Sequence, residues 1–165
     1  MYTKWYYRRK LKAPKLGYFG KDCGFFILDE GTAELKGKIG INDHCMIFTK
    51  GKLEIGDNFY ANKYASIVCH EHIRIGDNVS IGQFVTMLDH DHAYQKDESE
   101  NITFEGYNKA PITIGNNVWV ANHCTIVRGV NIGNNVVVGA NTLVHKDVPD
   151  NVVIMGVPYK IVKKI

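Results

Sequence analysis

The sequence predicts an all-β solenoid with three flat sides, and two regularities carry that prediction. The first is a repeated string, apolar-x-Ile-Gly-Asp/Asn-Asn. It occurs at Leu53-Glu54-Ile55-Gly56-Asp57-Asn58, Ile73-Arg74-Ile75-Gly76-Asp77-Asn78, Ile112-Thr113-Ile114-Gly115-Asn116-Asn117 and Val130-Asn131-Ile132-Gly133-Asn134-Asn135. The second is an aliphatic residue every six positions, along Ile75, Ile81 and Met87, and along Ile114, Val120, Ile126, Ile132, Val138 and Val144. A period of six matches neither a helix nor the plain alternation of a sandwich strand. It matches a chain in which each hexad is one short strand plus a corner, and three hexads close a coil of about 18 residues.

Each aliphatic residue then points into the prism. Gly76, Gly82, Gly115, Ala121, Gly133 and Gly139 suit corners where a Cβ is unwelcome. Asn and Asp at the turns tolerate left-handed φ and bond their own backbone. One coil cannot bury its own apolar track, so stacking creates the core.

The four strings start 20, 39 and 18 residues apart. The long gap is one coil plus an excursion, placed at about 88–110, whose polar middle Ala93–Asn101 breaks the hexad. Loops on a rigid scaffold usually carry function. Upstream of Leu35 the hexads fade, so residues 1–34 read as an N-terminal cap with a short helix or an extended arm, and 35–165 as the solenoid domain. The cluster Trp5-Tyr6-Tyr7-Arg8-Arg9-Lys10 also suits weak peripheral contact with an anionic membrane surface. Residues 145–150 read as a turn and 150–165 as a basic C-terminal tail.

Composition narrows the class. Of 165 residues 45% are hydrophobic and 22% charged, which suits a packed domain and not a disordered chain. A net charge of +3 is too balanced to argue for nucleic acid. No apolar run is long enough for a bilayer-spanning helix, and no signal peptide is read, so a cytoplasmic location is expected. Cys23, Cys45, Cys69 and Cys124 show no C-x-x-C pattern and read as reduced thiols, three of them small core fillers. No metal is expected.

The best chemical cluster is Asp89-His90-Asp91-His92, at the start of the excursion. Imidazole can take a proton near neutral pH, and a carboxylate can fix its tautomer. Trp119 is large for a solenoid position and either packs under the excursion or lines a cleft.

Residues 55–165 resemble the hexapeptide-repeat acyltransferases, in particular the galactoside and maltose O-acetyltransferases and bacterial polysaccharide O-acetyltransferases. The strings that carry this are Asn58-Phe59-Tyr60-Ala61-Asn62, Asp89-His90-Asp91-His92-Ala93-Tyr94, Pro111 to Val120, Lys146-Asp147-Val148-Pro149 and Gly156-Val157-Pro158. The resemblance implies a left-handed parallel β-helix, a homotrimer with sites between subunits, and acetyl-CoA as co-substrate. It implies a histidine general base at the start of the excursion, His92 by gapless counting or His90 as the alternative. It places Asn62 near acceptor and thioester, and the Asn122 N–H at the thioester oxygen. Trp119 and Asp89 are then acceptor-side residues, and Ala140, His145, Lys146, Lys160 and Lys163 line the coenzyme with Asn62 and Asn122.

The stretch Cys69-His70-Glu71-His72 replaces an aspartate that the resemblance leads one to expect, and the N-terminal segment is short. Capsule, O-antigen or exopolysaccharide precursors are therefore the expected acceptors. N-acetylation of an amino sugar is the alternative. A zinc hydratase using His70, His72, His90, His92 or His123, or a non-catalytic solenoid, are the remaining ones.

Overall fold

The computed structural model describes residues 4–6, 11–13 and 16–165. The strands follow one another around a three-sided prism. The first coil holds Lys4–Tyr6 (β1), Leu11–Lys12 (β2) and Leu16–Phe19 (β3), the second Gly24–Ile27 (β4), Thr32–Leu35 (β5) and Ile39–Ile41 (β6). The third holds Met46–Thr49 (β7), Lys52–Ile55 (β8) and Phe59–Ala61 (β9), the fourth Ser66–Cys69 (β10), His72–Ile75 (β11) and Ser80–Ile81 (β12). Thr86–Leu88 (β13) opens the fifth, which is interrupted by His90–Lys96 (β14) and Ile102–Lys109 (β15) before Ile112–Ile114 (β16) and Trp119–Val120 (β17). The sixth holds Thr125–Val127 (β18), Asn131–Ile132 (β19) and Val137–Val138 (β20), and the last Leu143–Val144 (β21) and Val152–Met155 (β22). Lys160–Lys164 (β23) ends the chain. The result is the left-handed parallel β-helix of about seven turns expected for hexapeptide repeats.

Face 1 stacks β1, β4, β7, β10, β13, β18 and β21; face 2 stacks β2, β5, β8, β11, β16 and β19; face 3 stacks β3, β6, β9, β12, β17, β20 and β22. All these pairings are parallel. Stacking runs well upstream of residue 35, from Lys4 opposite Gly24. The hexads fade there for a geometric reason. Thr125 pairs Leu143, 18 residues on, but Ser66 pairs Thr86, 20 on, and Gly24 pairs Met46, 22 on. The extra residues fall at the corner from face 1 to face 2, where Cys69 adds one more inward position before Ile73. The aromatic-basic stretch 7–10 lies outside the described residues. Among the described residues no helix is long and apolar enough to cross a membrane.

Alternate strand residues point inward, and Ile, Val and Leu fill the prism. All four cysteines are free and buried. Burial pushes the Cys45 thiol up to about 11 and the Cys69 thiol up to about 12, so both are inert packing atoms at neutral pH.

The repeated string is explained at the corner from face 2 to face 3. A Cβ on Gly76 would sit 2.4 Å from Asn116 Oδ1 and 2.6 Å from the Gly115 carbonyl oxygen. The space is taken because Asn116 Oδ1 accepts the Asp77 N–H at 2.8 Å, tying one coil to the next. The Asn that ends each string adopts left-handed φ, as Asn58, Asn78, Asn117 and Asn135 show. Their amides form a ladder, Asn58 to Asn78 to Asn117 to Asn135 to Asn151, each Nδ2 donating over 2.8–3.1 Å. The corner from face 3 to face 1 solves the same problem differently. Left-handed φ falls there on His44, Tyr64, Phe84 and His123, whose rings stack at 4.8–4.9 Å.

The excursion is an antiparallel hairpin, β14 against β15, rather than an irregular loop. The C-terminal tail likewise folds back as β23 antiparallel to β22. Gly76→Ala is expected to cost ~1–3 kcal/mol through that backbone collision, read as a lowered denaturation midpoint. Deleting residues 95–106 is expected to leave the far-ultraviolet dichroism and thermal midpoint of the solenoid nearly unchanged, since the coils pair across the hairpin, Ile73 to Ile112.

Candidate functional site

The corner from face 1 to face 2 gathers His70, His90 and His92. Asp89 is fully buried, and its two oxygens accept the backbone N–H groups of His70 at 2.7 Å and Glu71 at 2.8 Å. That satisfies a carboxylate which burial would otherwise penalise. It also fastens the root of the hairpin to the coil before it. The acceptor-side role expected for Asp89 becomes a positioning one, since its oxygens face the backbone and His90 Nδ1 at 3.2 Å. The His90 ring, 12% exposed, stacks on His70 with centroids 3.6 Å apart. Tyr107 stands edge-on to both, at 4.6 Å from His70 and 5.3 Å from His90. Burial, and then the neighbouring His90, hold the His70 imidazole below the ordinary histidine range.

His92 is exposed two residues further along β14. Its ring lies 4.8 Å from that of Tyr107 and 5.9 Å from that of Phe104. The hairpin register slips between His92 and Tyr94, the extra residue lying on β15 around Glu105–Gly106, where Gly106 takes φ +72°. Such a bulge bends the strand and re-aims the side chains beside it. Asp91 anchors the root from the other side, accepting from Arg128 Nε at 2.5 Å and Asn108 Nδ2 at 2.9 Å. The Arg128 guanidinium, and then Asn108, hold the Asp91 carboxyl below the usual carboxylate range.

The corner from face 3 to face 1 carries the other half of the expected site. Asn62 Oδ1 accepts the Lys63 N–H at 2.8 Å and Asn42 Nδ2 at 3.3 Å. One and two coils on, the positions equivalent to Lys63 are Gln83 and Asn122, and the next is Ala140. The Gln83 N–H is taken by Asn122 Oδ1 at 2.9 Å. No acceptor among the described residues takes the Asn122 or Ala140 N–H, and both residues are exposed. Trp119, 56% exposed, stands three residues before Asn122 on the outside of face 3, in one column with Tyr60 and Ser80.

At the C-terminal end, His145, Lys146 and Lys160 surround Tyr159. Tyr159 is buried, its hydroxyl donates to the Asp147 carbonyl at 2.6 Å, and Lys146 Nζ lies 5.1 Å from its ring centroid. The His145 ring is 5.8 Å away. Lys163 follows on β23, exposed and paired with Val153.

Within one chain these groups are not brought together. His90 and His92 stand at one edge of face 1, and Asn62 and Asn122 stand at the other. Face 1 between them carries an apolar outward column, flanked by a mixed one of Gly24, Met46, Ser66, Thr86, Thr125 and Leu143. The column Phe26, Phe48, Val68, Leu88 and Val127 is continuous in register, and Met46 is exposed beside it. Face 2 instead shows Glu34, Glu54, Arg74 and Thr113 in its outward column. The five histidines that would serve a metal divide between places: His72 Nε2 lies 2.7 Å from Glu54 Oε2 on face 2, and His123 belongs to the aromatic ladder.

Reading the sequence missed Tyr107, Arg128 and Tyr159. For Tyr107 a signal existed, because Ile102-Thr103-Phe104 alternates like a strand. Arg128 and Tyr159 are linked to their partners only by the coil stacking.

Residues 111–146 match the family model for bacterial transferase hexapeptide repeats. The galactoside O-acetyltransferase of Escherichia coli K12 is 54% identical over 55 residues, 33% of this chain and 27% of that enzyme. The matched stretch thus spans well under half the length of that curated relative. A solved galactoside acetyltransferase in complex with coenzyme A is 36% identical, with TM-score 0.64, covering 79% of this chain and 66% of that one. A solved maltose O-acetyltransferase from Clostridium difficile 630 is 29% identical, with TM-score 0.57, covering 91% of this chain and 70% of that one. With its stacked coils and the excursion at one corner, this chain carries the bacterial transferase hexapeptide repeat and resembles the galactoside and maltose O-acetyltransferases.

Proposed function

We propose that the protein is an acetyl-CoA-dependent O-acetyltransferase acting on a sugar hydroxyl of a polysaccharide precursor, in clefts between the subunits of a homotrimer. The observation that carries this reading is the placement of two half-sites at opposite edges of one apolar face. Three prisms that turn face 1 toward a common axis bury Phe26, Phe48, Val68, Leu88 and Val127. The same rotation sets the histidine edge of each subunit beside the Asn62–Asn122 edge of the next.

In that cleft His92 is the general base. It removes the hydroxyl proton as the sugar oxygen attacks the thioester carbonyl carbon. The carbonyl oxygen gains the negative charge, and the unpaired Asn122 N–H donates to it, a contact worth about 3 kcal/mol in comparable oxyanion sites. The carbonyl re-forms, the carbon–sulfur bond breaks, and the departing thiolate takes the proton from His92. The products are the acetyl ester and free coenzyme A. His90, held by Asp89 and stacked on His70, is a positioning residue that fixes the hairpin root under His92. Asn62 and Trp119 line the acceptor side. Ala140, His145, Lys146, Lys160 and Lys163 receive the pantetheine and phosphates, lysine acting as a point charge.

His92→Ala is expected to lower kcat by about 10²–10⁴-fold with little change in KM for acetyl-CoA, read by thiol release. His90→Ala should lower kcat less and leave the pH profile of the remaining rate unmoved; the reverse order would make His90 the base. Lys160→Ala with Lys163→Ala should raise KM for acetyl-CoA several-fold and spare kcat, because such contacts bind ground and transition states alike. The shared cleft has its own test. Asn122→Pro deletes the N–H. Mixed with His92→Ala chains and allowed to exchange, it should restore activity in about a quarter of the clefts. Confirmed exchange without recovery would place both walls in one subunit.

A further inference from the structure

The hairpin has two chemically different faces. Residues directly opposite in an antiparallel pair share a side, and the pairs His92 with Tyr107, Tyr94 with Phe104 and Lys96 with Ile102 all fall on one side. The ring contacts of His92 with Tyr107 and Phe104 agree with this. The other side shows Asp91 with Asn108 and Gln95 with Thr103. The first side is therefore a row of rings that begins at the proposed base and runs outward. Tyr94 is 73% exposed and Phe104 67% exposed, so nothing among the described residues covers them. From His92 to Lys96 the row is about 13 Å long, at the rise of a β-strand.

We propose that this face is an extended acceptor subsite for a neutral or amino-sugar oligosaccharide, whose sugars beyond the reacting one lie on Tyr94, Phe104 and Tyr107. The inference rests on the acetyltransferase reading and deepens it. A sugar presents C–H surfaces to an aromatic face and hydroxyls to its polar rim, which tyrosine supplies together with apolar area. Continuity with His92 selects this occupant. A glycan seated along the row delivers its terminal hydroxyl to the imidazole. Charge selects the class of glycan. Between residues 90 and 109 there are five carboxylates, Asp91, Asp97, Glu98, Glu100 and Glu105, against two lysines. Asp91 is paired with Arg128 and Glu100 with Lys96. The uncompensated charge around the tip is negative, so a sialic-acid or uronic-acid polymer is repelled.

The test uses the full chain on a glycan array of neutral, amino and acidic oligosaccharides, followed by titration calorimetry with the strongest ligands and, as probes in every case, maltohexaose, a chitosan hexamer and a polysialic acid hexamer. The expected result is binding of neutral or amino oligomers over acidic ones. Affinity should rise with oligomer length, and fall by about threefold to tenfold for each of Tyr94→Ala and Phe104→Ala. Phe104→Tyr should restore affinity. KM for acetyl-CoA and the sedimentation coefficient should not move in these variants. Length-dependent binding lost in the variants, without acetyl transfer to any bound glycan, would sink the acetyltransferase reading and leave the subsite standing. Transfer that is indifferent to oligomer length and to both variants would overturn the subsite. So would preferred binding of the acidic oligomer. Dissociation of the oligomer by Tyr94→Ala and Phe104→Ala would also overturn it, by making the row a contact with a second copy of the chain.

Discussion

Every face of the prism is held by one interaction, the hydrogen bond from a backbone N–H of one coil to a carbonyl of the next. Strand residues are so few per coil that side-chain packing alone would not fix the register; the corners do that. At the corner from face 2 to face 3, the Asp or Asn after each glycine accepts a backbone N–H of the preceding coil, as Asn116 does for Asp77 and Asp77 does for Asp57. The glycine is there because that side chain occupies the space of its Cβ. A one-residue slip would break these contacts and turn the inward column outward.

The three corners are not equivalent. From the second coil to the sixth, two keep constant length and the third absorbs the variation: four extra residues in the second coil, two in the third and fourth, and a whole hairpin after Leu88. Because the coils stack, variation at one corner is presented as a column. His70 lies under His90 for this reason alone, and Arg128 reaches Asp91 from the coil beyond. Buried Asp89 ties the column together, with two backbone donors from one coil and an imidazole from the hairpin. A rigid scaffold thus carries imidazoles on a projecting strand while the coils on either side still pair.

The opposite edge of face 1 is built from another economy. Four consecutive coils place rings at left-handed φ, a conformation bulky side chains rarely adopt. Stacking at 4.8–4.9 Å offsets that cost. Beside the ladder, the Asn122 and Ala140 N–H groups find no acceptor among the described residues. Face 1 lies between this edge and the histidine edge, so His90 and His92 stand apart from Asn62 and Asn122 within one chain.

The sequence by itself determined the coil, because a six-residue period with glycine at a fixed phase has only one economical solution, and it determined the excursion as a gap in that period. It also singled out Asp89 to His92, Trp119 and the basic C-terminal residues, whose chemistry stands out from an apolar repeat. It did not reveal the upstream coils, since extra residues at one corner hide the period although the ladders continue to Lys4. Only the tertiary structure decided that Asp89 faces backbone rather than a ligand, that the excursion is a two-faced hairpin, and that Tyr107, Arg128 and Tyr159 join the site. Those relations link residues 12 to 37 positions apart through stacking, or turn on which side of a strand faces outward after a bulge, and neither leaves a local pattern in the chain.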